Sequence, residues 1–162
     1  MSKNHSYNVK VEWTGNKGTG TSSYRDYERS HIIHVEGKEA ILGSSDPAFR
    51  GDKTKHNPED MLVASVSACH MLVYLHLCAD AGITVVNYYD NASGTMEETP
   101  NGGGRFTEVM LIPVVTILEA AMVTKANELH HKANELCFIA NSCNFPIRHN
   151  PTCEVRAKKY SE

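Results

Sequence analysis

Hydrophobic and polar positions change period along the chain, and each change marks an element. Val9, Val11 and Trp13 alternate with Lys10 and Glu12, the two-residue period of a half-buried strand. Gly15-Asn16-Lys17-Gly18 is turn chemistry, and Tyr24, Tyr27 and the run His31 to Val35 suit further strands. A polar loop from Gly43 to Asp52 follows. At Asn57-Pro58-Glu59-Asp60 the pattern turns helical: Asn caps, Pro takes the first helical position, and two carboxylates sit where the helix dipole favours negative charge. The spacing predicts a helix from Pro58 to about Asp80, stopping near Gly82. It is apolar nearly all round, which places it in a core. Ala64, Ser65, Ser67 and Ala68 make one stretch slim enough for another helix to approach closely.

Val85 to Glu97 and Phe106 to Ile117 read as two long strands of a hairpin whose tip is Pro100-Asn101-Gly102-Gly103-Gly104. A second helix spans roughly Glu119 to Leu136, with Lys125, Glu128 and Lys132 on its outer side, and Cys153 to Lys159 suits a closing strand. Strands, helix, hairpin, helix and strand in that order make an α+β protein.

The chain has 162 residues, which favours one domain spanning 1–162 or one subunit of an intimate oligomer. A formal charge of −3 gives no electrostatic reason to expect nucleic acid or an anionic membrane surface. The apolar stretch Met61 to Leu77 is interrupted by Ser65, Ser67, His70 and His76 and is short for a bilayer, so no membrane span is expected. The amino terminus lacks the apolar core of a signal peptide, and the expectation is a soluble, cytoplasmic protein.

Five cysteines (69, 78, 137, 143 and 153) without an export signal argue against a disulfide framework, and no CxxC pair is present. Cys69 sits mid-helix, too far from the N-terminus to gain from the dipole, so a reactive thiolate there needs a cation brought to it. Cys78, nine residues on, points to the opposite face roughly 13 Å away and reads as core. Cys137 ends the second helix beside a loop, where a thiol can move to form a transient disulfide. Cys143 is near enough in sequence to substitute for it.

Asn57-Pro58-Glu59-Asp60-Met61-Leu62 followed by Ala68-Cys69 resembles the Asn-Pro-Glu…Leu…Ala-Cys signature of the OsmC/Ohr family. Cys137-Phe138-Ile139-Ala140-Asn141-Ser142, preceded by His130 and Ala133, resembles that family's second-cysteine region. The resemblance implies an OsmC-like fold: antiparallel sheets packed on long central helices in an intertwined homodimer with active sites at the subunit interface. It implies reduction of organic hydroperoxides, with Cys69 as peroxidatic thiol and Cys137 as resolving thiol. It further implies that Glu59 orients an arginine against the Cys69 thiolate and the peroxide. The reductant would be an external dithiol of lipoyl type, and no cofactor, metal or haem is needed. Arg50, whose loop adjoins the Glu59 helix, is the preferred arginine, and Arg25 is the alternative. Two departures mark a distinct branch: Cys-Phe-Ile-Ala-Asn-Ser stands where Cys-Pro-Tyr-Ser is common, and His70 follows Cys69 where an aromatic residue is frequent.

Glu59 and Cys69 are ten residues apart, about 15 Å along one straight helix. The expectation is therefore that Glu59 and its arginine come from one subunit and Cys69 from the other. Rival readings are weaker on the residues. His70 and His76 do not converge on a helix, and His130 and His131 diverge; His130 and Cys137 share a face but lack a third ligand for zinc. A cysteine hydrolase would need Cys69, a histidine and Glu59 in a geometry that nothing fixes. A non-catalytic protein holding a lipid-like ligand in an apolar dimer cleft is the main alternative, and it leaves both cysteines inert to peroxide.

Overall fold

The computed structural model describes residues 3–156, and the chain forms two compact units that divide after Met61. In the first unit, β1 (Lys10–Trp13), β2 (His31–His34) and β3 (Ile41–Gly43) make an antiparallel sheet in that order, with Val11 opposite Ile33. All four residues of β1 are exposed within the chain, where the alternation predicts a half-buried strand. Among the described residues the apolar face of β1 is only partly covered: Trp13 meets Tyr27 edge-on, while Val11 stays exposed. Tyr24 and Tyr27 form no strand. They lie in turns clamped by Arg29, whose guanidinium carbon is 4.2 Å from each ring centroid. Arg29 also donates to the backbone carbonyls of Tyr27 at 2.6 Å and Tyr24 at 2.7 Å, so two cation–π contacts to perpendicular rings have replaced strand pairing.

The helix α1 (Pro58–Asp80) starts as its sequence predicts: the Asp60 N–H donates to Asn57 Oδ1 at 2.7 Å. It ends at Gly82, in the left-handed region at φ 71°, where the Ile83 N–H returns to the Cys78 carbonyl at 2.9 Å. Burial differs from expectation. Only Val66, His70, Tyr74 and Cys78, one stripe at four-residue spacing, are buried within the chain. The stripe two residues out of phase, Ala64, Ala68 and Leu72, is exposed, Leu72 by 63%. By length and composition α1 could cross a membrane, yet its buried stripe packs into the second unit's core.

The predicted hairpin is present, but each long strand breaks once. The result is β4 (Val85–Asp90), β5 (Ser93–Glu98), β6 (Gly104–Leu111) and β7 (Pro113–Ile117). Pro113 cannot donate a ladder hydrogen bond. At this break Asp90 Oδ1 accepts the Ile112 N–H at 2.6 Å, while Oδ2 accepts the Ser67 hydroxyl at 2.6 Å and ties α1 to the sheet.

With β8 (Ile147–His149) and β9 (Thr152–Val155), the strands of the second unit sort into two sheets, β4-β7-β9 and β5-β6-β8. The helix α2 (Val123–Leu136), preceded by a 3-10 turn at Ala120–Met122, buries Ala126, Leu129, His130 and Ala133. Beyond it, β8 runs parallel to β6 and β9 parallel to β7. The sheets are thus mixed, not antiparallel throughout, because a chain that returns across a helix re-enters beside the preceding strand in the same direction. β8 is absent from the sequence prediction, and residues 157–159 of the predicted closing strand lie outside the described residues. Val115, Ile117, Leu129 and Tyr74 pack in one core cluster, and Val66, Val109 and Leu111 in another. Each fully buried aliphatic side chain there contributes about 1.5–3 kcal/mol.

Candidate active site

Cys69 lies halfway along α1 and is half-buried; Cys137 caps the C-terminus of α2 and is fully buried. The fold sets Cys69 near enough to Cys137 for its thiol to perturb that of Cys137. Burial, and then the neighbouring Cys69 thiol, push the Cys137 thiol up to about 11. The turn after α2 folds back on Cys137: the Ala140 N–H donates to its sulfur at 3.4 Å and the Asn141 N–H to its carbonyl at 3.0 Å. Cys143 donates instead to the Ile139 carbonyl at 3.3 Å and packs on the Val66 cluster. Cys78 is fully buried in the Tyr74 cluster, against which Cys153 of β9 also packs. Burial raises the pKa values of Cys78, Cys143 and Cys153, which disfavours their thiolates.

The other predicted residues are placed as follows. Glu59 is in the first turn of α1, and its Oε2 is buried with no hydrogen-bond partner among the described residues. Arg25 and Arg50 are both exposed, and neither side chain forms an ion pair with Glu59 among the described residues. Arg50 follows the 3-10 turn at Pro47–Phe49 and is the one non-glycine residue with positive φ among those described, at 64°. It borders a polar cleft of about 270 Å³ with Arg29, Ser30, Ser44 and Asp52. Gly51 beside it is obligatory: a Cβ there would stand 1.5 Å from the Ser45 carbonyl oxygen.

Sequence reasoning missed a cluster of buried polar rings next to the thiols. His70 Nε2 and His130 Nδ1 are 3.0 Å apart, and their near-parallel rings meet edge to edge at a centroid distance of 5.3 Å. The Tyr74 ring stacks on His130 at 3.8 Å, and Tyr88 and His149 lean on the same imidazole. Both histidines are fully buried, and burial lowers His70 to about 4 and His130 to about 3, so both are neutral at pH 7. One nitrogen of each ring is satisfied by the other imidazole. His70 Nδ1 and His130 Nε2 have no partner among the described residues. The available signal was positional: His70 follows Cys69, and His130 lies two helical turns before Cys137. His76 and His131 instead meet Asp80 and Glu135 at the surface. No group of three or more His, Cys, Asp or Glu side chains is gathered as a metal site among the described residues.

An α+β fold that sets two free thiols near one another, one on each of its helices, defines a class of candidate thiol-redox proteins. The family model described as OsmC-like protein matches residues 51–152. An OsmC-like protein of unknown function from Vibrio cholerae is 30% identical over 94% of this chain and 100% of its own, with a TM-score of 0.81. An organic hydroperoxide resistance protein from Elizabethkingia anophelis shares the fold at a TM-score of 0.69 and 18% identity, covering 96% of this chain and 100% of its own. One from Legionella pneumophila does so at 0.69 and 17%, covering 95% and 100%. No curated protein matches the chain. The chain belongs to the OsmC-like family.

Proposed function

We propose that this protein is a thiol-dependent peroxidase that reduces organic hydroperoxides to alcohols through Cys69 and Cys137. The observation that carries this reading is the neighbourhood of the two thiols, half-buried Cys69 midway along α1 and buried Cys137 at the end of α2. The Cys69 thiolate attacks the distal peroxide oxygen. The O–O bond breaks, the alkoxide takes a proton and leaves as alcohol, and Cys69 becomes a sulfenic acid. Cys137 then attacks the Cys69 sulfur, the hydroxyl leaves as water, and a disulfide forms. An external dithiol, of lipoyl type in this reading, restores both thiols by exchange. The raised pKa of Cys137 suits the resolving role, since it stays protonated until Cys69 has reacted.

The active unit in this reading is a homodimer. The exposed apolar stripe Ala64, Ala68 and Leu72 and the exposed strand β1 support it, because both leave apolar surface that a second copy would bury. Glu59 Oε2, without a hydrogen-bond partner among the described residues, supports an arginine of its own subunit turning to it when the dimer forms, with Arg50 preferred over Arg25. Glu59 and its arginine then serve the Cys69 of the opposite subunit. Five free cysteines fit a reducing, cytoplasmic setting.

The test is consumption of cumene or tert-butyl hydroperoxide with dithiothreitol or dihydrolipoamide, beside Cys69→Ser and Cys137→Ser. Turnover that vanishes in Cys69→Ser, with a Cys69–Cys137 disulfide in the wild type, is expected. A wild-type protein without turnover, whose Cys69 alkylates slowly at neutral pH, would instead indicate a ligand-binding protein.

A further inference from the structure

Cys69 and Cys137 are neighbours across the middle of one helix and the end of another, and apolar packing alone does not fix how closely two such thiols approach. Hydrophobic contact is non-directional, whereas a disulfide needs its two Cβ atoms about 3.5–4.5 Å apart. Next to the thiols stands a contact that is directional. His70, one residue beyond Cys69, bonds His130, which sits two turns before Cys137, at 3.0 Å. This is the side-chain hydrogen bond between α1 and α2 among the described residues. Both rings are fully buried, lie within 6° of parallel, and are held on one side by Tyr74, whose ring is 11° from that of His130. Sliding either helix by one turn, about 5.4 Å, would break the bond and leave two more ring nitrogens unpaired in the core.

We propose that the His70–His130 imidazole pair is the positioning device that sets α1 against α2 and thereby holds the Cys69 and Cys137 sulfurs within bonding reach. The inference rests on the reading of Cys69 and Cys137 as a disulfide-forming pair, and it assigns the histidines no contact with peroxide. Their effect falls on closure of the disulfide, not on the first attack at Cys69. An apolar pair of similar size would fill the same space without specifying the register, which is the attested use of a buried polar contact.

The experiment needs no hydroperoxide. Reduced protein is equilibrated with mixtures of oxidised and reduced dithiothreitol. Two electrons and two protons pass from the Cys69 and Cys137 thiols to the cyclic disulfide, which opens to the dithiol. The fraction of Cys69–Cys137 disulfide is read by acid quench and peptide mass spectrometry. His130→Leu is expected to lower the equilibrium constant tenfold or more, about 30 mV in potential. His70→Gln and His130→Asn place an amide where the bonding nitrogen was, and both should stay within about threefold of wild type. A folded His130→Leu with the wild-type constant overturns the proposal. Should that variant not fold, His130→Gln replaces it, since its amide falls one bond beyond the reach of His70. A tenfold loss there supports the pair, and an unchanged constant sinks it. The two readings separate cleanly. A wild type that forms the histidine-dependent disulfide but consumes no hydroperoxide removes the peroxidase alone, and turnover with constants indifferent to the histidines removes the positioning role alone.

Discussion

Cys69 and Cys137 are neighbours, but they do not share an environment: Cys137 is fully buried, while Cys69 stands at intermediate exposure on the flank of α1. With its pKa pushed up to about 11, Cys137 holds only about one part in ten thousand as thiolate at pH 7. Iodoacetamide at neutral pH should therefore label Cys69 well before Cys137, and Cys137 should label only with global unfolding. Time-resolved peptide mass spectrometry measures both rates. Equal labelling of the two in the native protein would contradict the burial assigned to Cys137.

A second prediction concerns pH. His70 and His130 ionise at about 4 and about 3 in the folded chain, because burial disfavours the imidazolium. Unfolded histidines ionise near 6.5. Below that value the unfolded chain takes up protons that the native chain refuses, so falling pH favours unfolding. The stabilising contribution is complete above about pH 6.5 and is lost progressively toward pH 4, a loss of several kcal/mol for the pair. The groups facing these rings are Tyr74 of α1, Tyr88 of β4 and His149 of β8, whose own pKa is also lowered by burial. None of them supplies a negative charge at these pH values. The midpoint of urea denaturation should be flat above pH 7 and fall steeply between 6.5 and 4.5, and His130→Asn should flatten that slope. Asp52, held at about 2 by its hydrogen bonds to Thr54, acts in a lower window, below about pH 4.

Much of this architecture was legible in the sequence where one local signal decided the outcome. Asn57 and Gly82 bound α1 because a cap and a left-handed residue act within a single turn. The hairpin was legible from its strands and glycine-rich tip. The breaks at Asp90 and Ile112 were not, because they depend on a carboxylate that answers both Ser67 and a ladder N–H. Nor did alternation reveal that β1 is exposed, since period-two patterning reports that a face will be buried, not what buries it. Tyr24 and Tyr27 suggested strands by composition, and a distant Arg29 fork overrode that preference. The cysteine pair was legible from its motifs, but the histidine pair beside it required two helices to be placed together.

Leu72 offers a test of assembly separate from chemistry. Its side chain is 63% exposed within the chain, so Leu72→Glu should change the stability of an isolated subunit by no more than about 0.5 kcal/mol. If a second copy covers the Ala64–Ala68–Leu72 stripe, the same change buries a charge at the contact and should weaken association by at least a hundredfold. Sedimentation velocity would then show monomers where the wild type gives dimers. Peroxidase turnover should fall with the dimer, while the Cys69–Cys137 disulfide still forms in exchange with dithiothreitol. A Leu72→Glu protein that sediments as the wild type does would place the interface elsewhere.

Arg50 combines an exposed guanidinium with a backbone that disfavours any side chain, at φ 64° and ψ 27°. A left-handed non-glycine residue costs roughly 1–2 kcal/mol, while glycine loses about 0.5–1 kcal/mol in extra unfolded-state freedom. Arg50→Gly should therefore leave stability unchanged or raise it slightly, by up to about 1 kcal/mol, which is about 2–4 °C in Tm. If this guanidinium is the one that answers Glu59 and stabilises the Cys69 thiolate, the same variant should lose at least a hundredfold in kcat/KM with organic hydroperoxide. Arg25→Ala, on the exposed turn beside Tyr24, should stay within about threefold of wild type in the same assay. That pair of outcomes would identify Arg50 as a strained residue held for its charge. The reverse outcome, an active Arg50→Gly and a dead Arg25→Ala, would hand the role to Arg25 and leave the strain at Arg50 without a function.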